Sequence, residues 1–96
     1  MDEKITAIST ALTDAFSDVE LEYELTDDLH KFRVNLPDMT HWLYVSPETM
    51  DDNNLDALVE LLETYRVIED MKEAKGTSKF LLRRDRFDRV DQDFPK

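Results

Sequence analysis

Residues 19–36 constrain this chain more than any other stretch, because two alternating segments there match each other charge for charge. In VELEYEL (19–25), Val19, Leu21, Tyr23 and Leu25 point one way and Glu20, Glu22 and Glu24 the other. In HKFRVNL (30–36), His30, Phe32, Val34 and Leu36 share a face opposite Lys31, Arg33 and Asn35. Folding the chain at 26–29 sets Glu24 against Lys31, Glu22 against Arg33 and Glu20 against Asn35. The same register brings Tyr23 to Phe32 and Leu21 to Val34. Each such cross-strand pair is worth about 0.2–1 kcal/mol, and a one-residue slip would lose them all at once. A β-hairpin follows.

After the turn PDMT, the segment HWLYV (41–45) supplies a third strand. Pairing Leu43 with Val34 and Val45 with Phe32 places Trp42 beside Asn35 and Tyr44 beside Arg33 on the polar face. Before the hairpin, EKITAISTALTDAFS (3–17) repeats Ile5, Ile8, Leu12 and Phe16 at helical steps, with Asp2 as cap. Ser46–Pro47 is a helix-start pattern, and Asp52 or Asn53 is a second candidate cap. Leu55, Leu58, Leu62 and Tyr65 then form one helical stripe, widened by Val59 and Leu61. The segment RVIEDMKEAKG either continues that helix to Gly76 or folds back as a strand against SKFLLRR. Its Glu, Met, Lys and Ala content favours the helix. Residues 78–84 read as a strand on either view, and beyond Asp85 the periodicity is weak.

These elements predict a small two-layer α+β domain in the order α-β-β-β-α-(β)-β. Its mainly antiparallel sheet, a three-stranded meander plus a C-terminal strand, packs with two helices. Residues 1–90 form one domain, and 91–96 a frayed tail.

The 96 residues carry 12 basic and 23 acidic side chains, a net charge of −11, and no cysteine. Thiol chemistry and disulfides are thereby excluded, which suits a reducing compartment. The start MDEKITAIST lacks the basic and apolar runs of a signal peptide, and no apolar run nears the ~20 residues of a membrane span. The expectation is a cytoplasmic protein with no membrane partner. Acidity of this kind keeps a small protein soluble, suits it to high salt, or presents a counter-surface to a basic partner. It argues against direct nucleic-acid binding, since phosphates would be repelled.

The charge is uneven. Residues 1–78 hold 6 basic and 19 acidic side chains, net −13, and residues 79–96 hold 6 and 4, net +2. The basic stretch KFLLRRDRFDR (79–89), with Arg83, Arg84, Arg86 and Arg89, reads first as counter-charge for an acidic body. Asp85 and Asp88 interrupt it too closely for a phosphate-binding patch.

No catalytic signature is present. A single glycine leaves no phosphate-cradling loop. His30 and His41, which this register brings one strand apart, have only Asp38 as a nearby third ligand. The carboxylate groups Asp27–Asp28, Asp51–Asp52 and Glu20/Glu22/Glu24 fall in turns or on a watered face, where acid–base chemistry lacks the burial it needs. DDNNLD lacks the spacing and glycine of a calcium loop. The chain is read as non-enzymatic, with no cofactor and no metal.

What stands out is Trp42, Tyr44 and Arg33 together on the polar face, flanked by Lys31 and Glu22. Trp, Tyr and Arg dominate interface hot spots. Either another part of the chain covers them, for instance the C-terminal segment with Phe87 and Phe94, or a partner does. The leading expectation is a protein-binding adaptor or inhibitor with an acidic surface that engages a basic partner. In a charge-mimic version it blocks a nucleic-acid-binding protein, with Glu20, Glu22, Glu24, Asp27 and Asp28 standing in for phosphates. The alternative is a secretion-type chaperone or structural homodimer held by apolar contacts.

In element order, size and acidity the chain resembles the small chaperones of type III secretion, which are acidic α/β dimers. That likeness is one of topology and uses the hairpin form of 66–84. Leu55 to Arg84 also resembles half of a winged helix in outline, without its motif and with the wrong charge for DNA.

Overall fold

The computed structural model describes residues 3–16, 19–27, 29–37, 39–74, 77–83 and 86–89. Among these, four helices lie on one face of a five-stranded sheet of order β1-β2-β3-β4-β5. Helix α1 spans Glu3–Ala15, followed by strands β1 (Glu20–Thr26), β2 (Leu29–Asn35) and β3 (Thr40–Val45). Helices α2 (Pro47–Asp52), α3 (Leu55–Thr64) and α4 (Val67–Glu73) then lead to β4 (Ser78–Leu82) and β5 (Phe87–Arg89). The α+β class holds. The predicted tail 91–96 and the Asp2 cap lie outside the described residues.

The β1–β2 register is the predicted one, from Glu20 opposite Asn35 to Glu24 opposite Lys31, and it extends to Thr26 opposite Leu29. The turn is therefore tighter than a 26–29 loop. Asp27 takes a left-handed backbone there, φ 55°, a conformation Asp tolerates better than most residues.

The β2–β3 pairing differs by two residues. Phe32 faces Leu43, Arg33 faces Trp42 and Lys31 faces Tyr44. The turn closes tightly, the Leu36 N–H donating to the Met39 carbonyl at 2.8 Å, and this pulls β3 along its neighbour. A slip of two preserves which side chains point inward. It does change their neighbours, with consequences for the polar face.

β4 pairs with β3 in parallel, Leu43 beside Phe80 and Val45 beside Leu82. Parallel neighbours need a long crossover, and helices α2–α4 supply it. β5 returns antiparallel, Leu82 opposite Phe87 and Phe80 opposite Arg89. This last strand was not foreseen.

The helical reading of RVIEDMKEAKG holds for Val67–Glu73, ending at an extended Ala74 short of the expected Gly76, and the strand alternative does not hold. The helix is broken, however, into α3 and α4 at Arg66, which has φ 54° and ψ 42°. Its N–H donates to the Glu63 carbonyl at 3.1 Å, and its carbonyl accepts from Asp70 N–H at 2.9 Å. Arg66 thus closes one helix and opens the next in a position that usually takes glycine. Left-handed geometry burdens a residue bearing Cβ by about 1–2 kcal/mol, and glycine gives back roughly 0.5–1 kcal/mol through unfolded-state entropy. Arg66→Gly should therefore stabilise the fold by roughly 0.5–1 kcal/mol and raise the melting temperature by about 2–8 °C. An unchanged or lower melting temperature in a thermal scan would contradict this account of the break.

The core lies between the helices and the inward sheet face. Ile8, Leu12 and Phe16 from α1, Leu58 and Leu62 from α3, and Val67 and Met71 from α4 meet Phe32, Val34, Leu43, Val45, Phe80 and Leu82. Two caps set the crossover. Ser46 Oγ accepts from the Thr49 N–H at 3.4 Å to start α2, and Asn54 Oδ1 accepts from the Ala57 N–H at 2.8 Å to start α3. The latter cap falls one residue beyond the two candidates read from the sequence.

Candidate protein-binding surfaces

The outward face of the sheet gathers most of the residues singled out in the sequence. Because registers align across four strands, side chains form rows. One row runs Glu22–Arg33–Trp42–Lys79, the next Glu24–Lys31–Tyr44–Leu81 and on to Asp88. Glu20 stands opposite Asn35 and Thr40 at the end of the face.

Each row is internally matched. Arg33 forms an ion pair with Glu22 and also stacks its guanidinium 5.5 Å from the Trp42 ring centre. Lys31 sits 5.9 Å over the Tyr44 ring. Trp42 and Tyr44 are themselves stacked, 6.0 Å apart and 11° from parallel. The two-residue shift of β3 made this arrangement: the expected register would have put Trp42 beside Asn35.

Electrostatics follow from the pairing. Hydrogen bonding to Arg33 holds the Glu22 carboxyl below its ordinary value, with Asn35 adding a further hydrogen bond. The same Glu22 bond raises Arg33. Burial pushes Tyr44 upward, with the Glu24 charge adding to it. Tyr44 is only 5% exposed, so its ring offers little accessible surface. Trp42 and Arg33 remain half-buried and offer the accessible area.

The C-terminal segment does not cover this face through Phe87, as one reading allowed. Phe87 points to the opposite side and stacks on Phe80, 5.4 Å away. Phe94 and Asp28 lie outside the described residues, and Asp27 is exposed in the β1–β2 turn. In the basic stretch 79–89, Lys79–Leu82 belong to β4 and Phe87–Arg89 to β5, while Arg84 and Asp85 lie outside the described residues. Arg86 pairs with Asp88 at 3.1 Å, and Arg89 lies 5.9 Å over the Phe80 ring.

The two histidines are apart. His30 pairs with Val45 at one end of the sheet and His41 with Val34 toward the other. His30 Nδ1 shares a 2.7 Å hydrogen bond with the Tyr23 hydroxyl, and His41 is buried against Phe16. Among the described residues no group of three or more His, Asp or Glu is placed to hold a metal ion. No described helix is long and apolar enough to cross a membrane.

A second surface was not singled out from the sequence. Across residues 47–73 the crossover helices bear nine carboxylates: Glu48, Asp51 and Asp52 on α2, Asp56, Glu60 and Glu63 on α3, and Glu69, Asp70 and Glu73 on α4. Arg66 and Lys72 are the only cations in that span, which gives nine against two, net −7. All eleven are exposed. The strands' outward face carries Glu20, Glu22, Glu24 and Asp88 against Lys31, Arg33 and Lys79, net −1. The molecule is electrostatically two-sided. Helical periodicity hid this in the sequence, where the same acids are scattered among core leucines.

No family model, curated protein sequence or solved structure matches this chain.

Proposed function

We propose that the protein is a non-enzymatic protein-binding module, an adaptor or inhibitor, whose acidic helical side draws in a basic partner. The observation behind this reading is the concentration of nine exposed carboxylates against two cations on α2–α4. Like charges held on one side of a small body raise encounter rates with a basic surface and make binding salt-dependent.

The charge-mimic version has weaker support at Glu20, Glu22, Glu24 and Asp27 than on the helices. Glu22 and Glu24 already face Arg33 and Lys31, so a basic partner would find that row partly neutralised. A chaperone-like dimer held by apolar contacts is also less favoured. Among the described residues the apolar part of the outward sheet face is Leu29, Trp42, Tyr44 and Leu81, and the last two are nearly covered.

The test uses a fluorescently labelled arginine-rich peptide titrated by anisotropy at several salt concentrations. The triple variant Asp56→Lys, Glu60→Lys, Glu63→Lys should bind about tenfold or more weakly and show a shallower salt dependence. Glu20→Lys with Glu24→Lys should have a smaller effect. Salt-insensitive binding, or a helical variant that binds as well as the parent, would sink the proposal.

A further inference from the structure

We propose that an open notch where α1, α3 and α4 meet receives one bulky apolar side chain, of leucine or phenylalanine size, carried between cations on the basic partner. Resting on the proposed basic partner, this site adds the contact that holds it once charge has drawn it in. The notch has a volume of about 190 Å³. A cavity of about 150 Å³ admits benzene, so there is room for one such side chain. All three helices supply its apolar walls: Ala11 on α1, Val59 and Leu62 on α3, and Ile68 on α4. Glu63 and Glu69 complete the lining.

The fold explains why these residues meet and why the space between them is open. Val59 and Ile68 are nine positions apart in sequence. In one continuous helix, turning about 100° per residue, they would lie on opposite sides. The break at Arg66 brings both to the same notch. On the facing helix, alanine at position 11 contributes a single methyl group where a larger residue would fill the gap. Val59 is 39% exposed, whereas Leu62 is 4% exposed and joins the notch to the core. An accessible apolar wall backed by packed core, with charged groups around it, is the setting in which interface anchors bind.

Charge selects the occupant. On α3, Asp56, Val59, Glu60 and Glu63 follow at three- and four-residue steps, so Val59 stands inside an acidic stripe. Glu69 adds a carboxylate from α4, whose one cation is Lys72. A second copy of this chain, itself at net −11, would bring the same stripe against its like. A segment with lysine or arginine on both sides of its apolar residue meets carboxylates from two helices instead.

The test compares two fluorescently labelled arginine-rich peptides that differ only at a central residue, leucine in one and alanine in the other. By anisotropy the leucine peptide should bind the full chain about tenfold more tightly. Both affinities should fall as salt is raised while their ratio persists, because ions screen charge but not apolar burial. Ala11→Leu fills the notch without changing charge. It should bring the leucine peptide down to the level of the alanine peptide and leave the latter unmoved. A circular dichroism melt of that variant checks that the helices still pack. Val59→Ala, which adds no bulk, should reduce the preference for leucine to about threefold. Equal binding of the two peptides with the salt dependence intact would overturn the anchor site and leave the acidic reading standing. A leucine preference that neither variant reduces would also overturn it. Binding of neither peptide would overturn both.

Discussion

Phe32→Ala should destabilise the fold by about 3–5 kcal/mol, the usual range for emptying a buried aromatic site. Phe32 is 0% exposed at the middle of the inward sheet face. It pairs with Tyr23 on one side and Leu43 on the other, and the Tyr23 ring lies 5.1 Å away. Neighbours fixed in two adjacent strands and in the helix layer cannot all relax into the vacancy. A domain of this length is stable by roughly 5–14 kcal/mol, so one substitution removes a large share of the total. Urea titration should show a lower midpoint with the slope unchanged. A loss below about 1.5 kcal/mol would mean that the strand centre is not the packed core described above.

Thr49→Val should cost about 1–3 kcal/mol although shape and volume hardly change. Thr49 is fully buried. Its hydroxyl is 2.6 Å from Ser46 Oγ and donates to the Leu82 carbonyl at 3.4 Å. The Leu82 carbonyl also accepts from the Ser46 N–H at 3.2 Å. This small network ties the start of α2 to the end of β4, and so fixes where the crossover leaves the sheet. Valine would leave the Ser46 hydroxyl buried with one partner fewer. Ser46→Ala alone should cost about 0.5–2 kcal/mol as a lost cap. The double variant should cost less than the two singles added, because removing both partners leaves no stranded hydroxyl. Strict additivity in denaturant melts would show that the two hydroxyls are not coupled.

Both substitutions probe parts of the fold that the sequence revealed to different degrees. Phe32 was placed correctly from alternation alone. So were the inward faces of α1 and β2, the register of β1 on β2 and the Ser46–Pro47 helix start. Thr49 was not marked as a core residue, since its partners arrive from residue 82 and nothing local announces them.

The outward site was legible in membership but not in geometry. Arg33, Trp42 and Tyr44 share a face because strand periodicity is two, and any even shift keeps them there. Which of them touch depends on how tightly the 36–39 turn closes, and a two-residue change gave Arg33 to Trp42 and Lys31 to Tyr44. The acidic helical side was missed because charges spaced for a 3.6-residue period look dispersed in a linear sequence.

The sequence by itself determined the elements and their buried faces, since alternation, helical stripes and caps act between residues close along the chain. Only the tertiary structure decided where the elements go. β4 joined β3 in parallel because three helices carry the chain back across the sheet. The long apolar stripe of 55–75 broke at Arg66, a residue with no local preference for left-handed backbone, so that both α3 and α4 could bury their apolar sides. Long-range burial of Leu58, Leu62, Val67 and Met71 outweighs about 1–2 kcal/mol of backbone strain at one residue, and a balance of that kind is invisible to neighbours in sequence.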